Sequence, residues 1–139
     1  MQDYRTLRVW KLAHELAIAV RRATRLFPRA GYGSLQSQMT RAAESIVLNI
    51  VEGCGARSAR EFARFLDIAI KSTMELSAQL ELAKDYGTLE TLSWRALTAM
   101  TTDVRRMLCG LRSKVLAAAP RTPTRETDNA KRTNGKLKT

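Results

Sequence analysis

Between Phe62 and Ala83, seven residues (Phe62, Leu66, Ala69, Thr73, Leu76, Leu80 and Ala83) recur at alternating steps of four and three. A strand cannot place such a set on one face, because its side chains alternate every two residues; a helix gathers them into one heptad-like row. The spacing predicts a long helix over about 59–86, stopped by Gly87. Phe65, Ile68, Ile70 and Met74 lie off the row, so this helix has apolar surface for a second contact.

The rest of the chain follows the same period. Trp10, Ala13, Ala17, Val20, Thr24 and Phe27 form one row over about 7–27, and Val9, Leu12, Leu16, Ala19, Ala23 and Leu26 form another beside it. Two adjacent rows make a broad buried stripe. "PRAGYGS" interrupts the pattern, since a proline and two glycines continue a helix only at a cost. A second helix is predicted over about 35–52. Its later half, "SIVLNIVEG", is apolar nearly all round, which calls for burial on more than one side and hints at an interface with another copy. Thr88 is placed to N-cap a last helix through Leu97, Met100, Val104, Met107, Leu111 and Val115, ending before Pro120.

Four amphipathic helices with short connections and no competing strand signal imply an all-α, up-down-up-down four-helix bundle over residues 1–119. The remainder, 120–139, has no apolar period and carries six basic residues against two acidic ones. It is expected to be a disordered basic tail, either an arm for nucleic acid or a solvated end.

Charge is the unusual part of the composition. Twenty-four Lys and Arg against 13 Asp and Glu give a formal +11, and about two-thirds of the excess lies before Pro120. Such a balance attracts polyanions or simply keeps the surface soluble. "MQDYRTLRVWKLAHEL" is charged throughout and lacks the apolar core of a secretory signal. "LAIAV" is too short to span a bilayer. A soluble, cytoplasmic protein with no membrane attachment is expected.

"EGCGARSAREF", residues 52–62, superficially resembles a phosphate loop, yet it lacks the lysine and preceding strand of a P-loop and the third glycine of a dinucleotide fingerprint. Its structural signals are more specific. Gly53 is placed to end the second helix in a left-handed conformation, and "SARE" from Ser58 to Glu61 matches a capping box. Gly55 adds freedom to the corner and could bring two helices close. Cys54 has cationic neighbours but no dedicated base, so a small filler role suits it better than nucleophilic chemistry. Cys54 and Cys109 could pair, although nothing marks a disulfide framework. His14, the only histidine, and two distant thiols make a poor metal site. The carboxylates Glu44, Glu52, Glu61 and Glu75 are scattered, as expected for helix-surface pairs. Neither enzymatic activity nor a cofactor or metal is expected.

One polar constellation stands out. Arg57, Arg60, Arg64 and Lys71 fall within a narrow arc at 100° per residue, opposite the Phe62–Leu66–Ala69 row, with Asp67 and Glu75 at its border. Such a stripe can track a phosphate backbone through forked arginine hydrogen bonds, or serve as a solvated face. Arg8, Lys11, Arg22 and Arg25 make a second basic row on the first helix, interrupted by Glu15 and Ile18.

"LRVWKLA", "FPRAGYG", "QMTRAAESIVLNIVEGCGARSAREFARFLDIAIKSTMEL" and "LAKDYGTL" resemble a bacterial four-helix-bundle family encoded in intervening sequences of 23S ribosomal RNA genes. Its more distant branch is the accessory protein of diversity-generating retroelements. The match runs from about Tyr4 to Leu111 and includes Ser45-Ile46, Asn49-Ile50, Glu52-Gly53, Glu61-Phe62, Arg64-Phe65-Leu66, Ala69, Ser72 and Glu75-Leu76. The resemblance implies a ring-like homopentamer of bundles and, in the retroelement branch, a basic surface that binds a reverse transcriptase and RNA. The chain departs from the family pattern at Thr40, where an Arg-Arg pair is usual, at Ala56, where an arginine follows the corner, and at Lys71, where glycine precedes the serine. Arg41 and Arg64 match basic family positions. The expected function is a non-catalytic homo-oligomeric adaptor that contacts RNA or DNA through Arg41, Arg57, Arg60 and Arg64, the rival being a protein–protein scaffold.

Overall fold

The computed structural model describes residues 2–120. Apart from Pro120, the expected basic tail lies outside the described residues. Four helices, α1 (Arg8–Thr24), α2 (Arg29–Cys54), α3 (Ala59–Asp85) and α4 (Thr91–Ala117), follow a short 3-10 turn at Tyr4–Thr6, and no strand is present among the described residues. α1 packs on α2 and α4, and α3 packs on α2 and α4, while the diagonal pairs do not meet. Ser45 contacts Ser72 and Gly53 contacts Phe62, so α2 and α3 run antiparallel. The Arg112–Asp67 and Arg105–Met74 contacts establish the same for α3 and α4. The all-α bundle is as the periodicities demand.

The core sits at the centre of this square. The α3 row fills it as expected: Leu66, Ala69, Thr73, Leu76, Leu80 and Ala83 are fully buried, and Phe62 packs at its edge. Facing them are Leu16 and Val20 of α1, Met39, Ile46 and Ile50 of α2, and Val104 and Leu108 of α4. The buried row of α4 is Leu97, Thr101, Val104 and Leu108, rotated from the expected one, so that Met100, Met107, Leu111 and Val115 flank it. Thr101 can take a core position because its hydroxyl donates to the Leu97 carbonyl at 2.7 Å, so its own donor is met.

The helix ends correct three expectations. Gly53 does not end α2 in a left-handed conformation; only Gly31 and Gly87 have positive φ among the described glycines. Gly53 is buried inside the last turn of α2, and a Cβ there would stand 2.9 Å from Phe62 Cδ1. It is therefore the close-approach glycine, a role the sequence offered to Gly55. Thr88 is not the cap of α4: Glu90 holds that position, without a side-chain cap bond. Thr88 instead closes α3. Its amide donates to the Ala83 carbonyl and that of Gly87 (φ 77) to the Lys84 carbonyl, the paired bonds of a Schellman stop. Finally, the expected break in "PRAGYGS" is present but short: Ala30 (ψ 116) and left-handed Gly31 (φ 87) are non-helical, and regular helix begins at Tyr32, three residues earlier than expected.

Both ends of the described chain meet at the α2–α3 corner. The Gln2 amide donates to the Cys54 carbonyl at 3.2 Å, and Gln2, Cys54, Arg57, Val115 and Ala118 line one shallow concavity.

Candidate nucleic-acid interface

The corner that starts α3 also positions its arginines. Ser58 takes the N-cap conformation, and its Oγ accepts the Glu61 amide at 3.1 Å. Glu61 Oε2 accepts the Arg57 amide at 3.0 Å. This is the expected capping box, with the return bond displaced one residue toward the corner. The device satisfies two early amides and occupies Glu61, the acid closest in sequence to Arg57, Arg60 and Arg64.

Arg57, Arg60, Arg64 and Lys71 are all exposed, and none forms an ion pair with a described residue. At 1.5 Å per residue the stretch from Arg60 to Lys71 extends about 16 Å along α3. The Arg64 guanidinium lies over the Phe65 ring, 5.7 Å from its centroid, which restrains its stem without consuming its donors.

Arg41 is exposed as well but stands apart. It lies one turn before Ser45, whose Oγ is 2.9 Å from Ser72 Oγ. Ser72 in turn is two turns beyond Arg64. In the antiparallel pair these offsets add, so Arg41 and Arg64 are about 18 Å apart along the bundle axis. Arg60 and Arg64 line one concavity on α3, Arg57 precedes the helix and lines another at the corner, and Arg41 stands apart from them. Arg8, Lys11 and Arg22 are exposed on α1, the helix diagonal to α3, and Arg25 is exposed just past its end.

α4 supplies two further cations. Arg112 Nε donates to Asp67 Oδ1 at 2.6 Å, and Arg105 Nη1 lies 3.1 Å from Met74 Sδ. Arg60, Arg64, Asp67 and Arg112 line one concavity of about 600 Å³ between α3 and α4. The sequence pattern noted Asp67 only as a negative charge bordering the stripe. Its partner lies 45 residues away, and that separation is invisible to periodicity within one helix.

Cys54 is buried and Cys109 exposed, and both are free thiols. Burial pushes the Cys54 thiol above its ordinary range, and the Asp3 carboxylate adds to that. A raised thiol is a poor nucleophile at neutral pH. Among the described residues, no group of three His, Cys, Asp or Glu side chains is disposed to hold a metal ion. No helix of the described chain is long and apolar enough to cross a membrane.

Comparison with known proteins fits this architecture. The family profile described as 23S rRNA-intervening sequence protein matches residues 5–110. The crystal structure of a protein of unknown function from the S23 ribosomal protein family of Bacteroides thetaiotaomicron VPI-5482 superposes with a TM-score of 0.68 at 21% identity. The superposition covers 75% of this chain and 97% of that one, and it carries the fold. No curated protein matches the sequence.

Proposed function

Because the chain belongs to the 23S rRNA-intervening sequence protein family, we propose that it is a non-catalytic, homo-oligomeric cytoplasmic adaptor that binds RNA through phosphate contacts. The observation that carries the proposal is the pair Arg60 and Arg64, exposed, without an ion pair to any described residue and set beside Arg112, with exposed Arg57 just ahead of them at the corner. Cations held without acidic partners on a rigid helix retain their donors for phosphate oxygens, and affinity gained that way comes from counterion release. Fluorescence titration with ribosomal RNA fragments is expected to give binding at low salt that weakens steeply at moderate salt. Absence of binding at low salt overturns the proposal.

Self-association rests on a separate observation. Ile18 and Leu48 are 41% and 60% exposed, and with Ala17 and Val47 they line an apolar groove between α1 and α2. A homopentamer is the proposed assembly, and light scattering returning a monomer mass at micromolar concentration overturns it. The same apolar surface favours the scaffold reading, in which a protein partner, a reverse transcriptase among them, is captured irrespective of nucleic acid. Partner recovery unaffected by nuclease would select that reading.

A further inference from the structure

The α3–α4 groove gathers three arginines in one concavity and has one of them already held in place. Its walls are Arg60 and Arg64 from α3 and Arg112 from α4, and its apolar part is Ala63 and Leu116. Glu61 also lines it, but its carboxylate accepts the Arg57 amide. Asp67 takes Arg112 through Nε alone. A guanidinium has five N–H donors, and Arg112 makes no other hydrogen bond to a described residue.

The Asp67–Arg112 pair is a weak device for stability. Its side chains are 45% and 40% exposed, and pairs so open to water contribute about 0–1 kcal/mol. As a positioning device it is effective: a carboxylate on Nε fixes the plane of the guanidinium and leaves both terminal amino groups for a second anion. Three guanidiniums around one depression, one of them pre-oriented, suit a tetrahedral oxyanion that accepts several hydrogen bonds at once.

We infer that this groove is a phosphoanion subsite in which Arg112, oriented by Asp67, completes the grip of Arg60 and Arg64. In its RNA form the inference rests on the proposed nucleic-acid function, with a backbone phosphate as the ligand; a free polyphosphate offers the same chemistry. Asp67 is a positioning residue here and Arg112 a binding residue.

The test uses the full chain as wild type, R112K and the control R95K, titrated with tripolyphosphate and with a short single-stranded RNA. Heteronuclear NMR of the arginine Nε–H groups follows the anion, and fluorescence anisotropy follows the RNA. R112K keeps the charge and removes the fork. It is expected to weaken both ligands about tenfold, the range set by hydrogen bonds to charged groups, while R95K matches wild type. A tripolyphosphate titration that leaves the Arg112 resonance unmoved, or an R112K that binds both ligands like wild type, overturns the subsite. RNA binding with R112K neutral sinks the subsite and spares the nucleic-acid reading. Tripolyphosphate at Arg112 with no RNA binding supports the subsite and sinks that reading.

Discussion

Phe62 packs so closely on Gly53 that a Cβ at position 53 would meet the ring at 2.9 and 3.1 Å and Phe65 Cβ at 3.4 Å. The Phe62 ring of the first turn of α3 therefore rests directly on the bare backbone of the last turn of α2. Gly53→Ala should gain about 1 kcal/mol of helix propensity and lose about 1–3 kcal/mol by overpacking. A net loss of stability is expected in urea unfolding. Gly55→Ala is the contrast: the nearest atom is the Glu52 carbonyl oxygen at 3.5 Å and φ is −86°, so its midpoint should stay within about 0.5 kcal/mol of wild type or rise. Equal effects at the two positions would refute this division of roles.

The α3 cap gives a second prediction. Ser58→Ala removes the acceptor for the Glu61 amide and should cost about 1 kcal/mol. Thermal unfolding of S58A beside S58D checks it, since Asp restores an N-cap acceptor and should recover most of the loss.

Across α2 and α3, Ser45 and Ser72 share a hydrogen bond at 2.9 Å, and Asn49 Nδ2 donates to both the carbonyl and the hydroxyl of Ser45. Ser72 is only 7% exposed. Ser72→Ala should cost about 1 kcal/mol, less than the roughly 2–5 kcal/mol expected for the fully buried Leu66→Ala. Chemical denaturation that ranks them the other way would contradict this account of the core.

The two thiols should separate cleanly. Exposed Cys109 is expected to react with a maleimide in the native state, and buried Cys54 only on unfolding. Because the folded-state pKa of Cys54 is raised, the native state holds its proton where the unfolded state has released it. Stability from this group is full below the ordinary thiol range and falls as pH rises above it. Cys54→Ala should flatten that alkaline decline, as urea midpoints measured across pH would reveal.

For RNA binding, R60Q/R64Q should reduce the slope of log affinity against log salt by about 1.4, since each phosphate contact on a single strand contributes about 0.7. R41Q alone should not alter the behaviour of the Arg57–Arg64 cluster, from which Arg41 stands apart. A double variant with the wild-type slope would remove the cluster from the interface.

Much of the bundle is legible because α3 writes its buried face at a strict period, and Leu66 through Ala83 obey it. The α4 face differs from its apolar period by a small rotation, since Thr101 counts as polar by composition yet satisfies its hydroxyl locally. Gly53 is not legible in its true role, because a glycine before a loop carries the signature of a helix stop, whereas the ring that demands it arrives from the next helix. Arg57, Arg60 and Arg64 were found as one stripe by angular spacing alone. Arg112 was not, because its relation to Asp67 exists only after α3 and α4 pair.

The meeting of Gln2 with the end of α4 at the α2–α3 corner has a practical consequence. Gln2 is tied to Cys54, and Ala118 lines the same depression as Arg57. A purification tag fused ahead of Gln2 would thus begin next to Arg57, one of the arginines whose affinity is to be measured. An acidic tag would compete with RNA there, and a basic one would imitate the surface. Tag-free protein is the fair reagent for every binding comparison above.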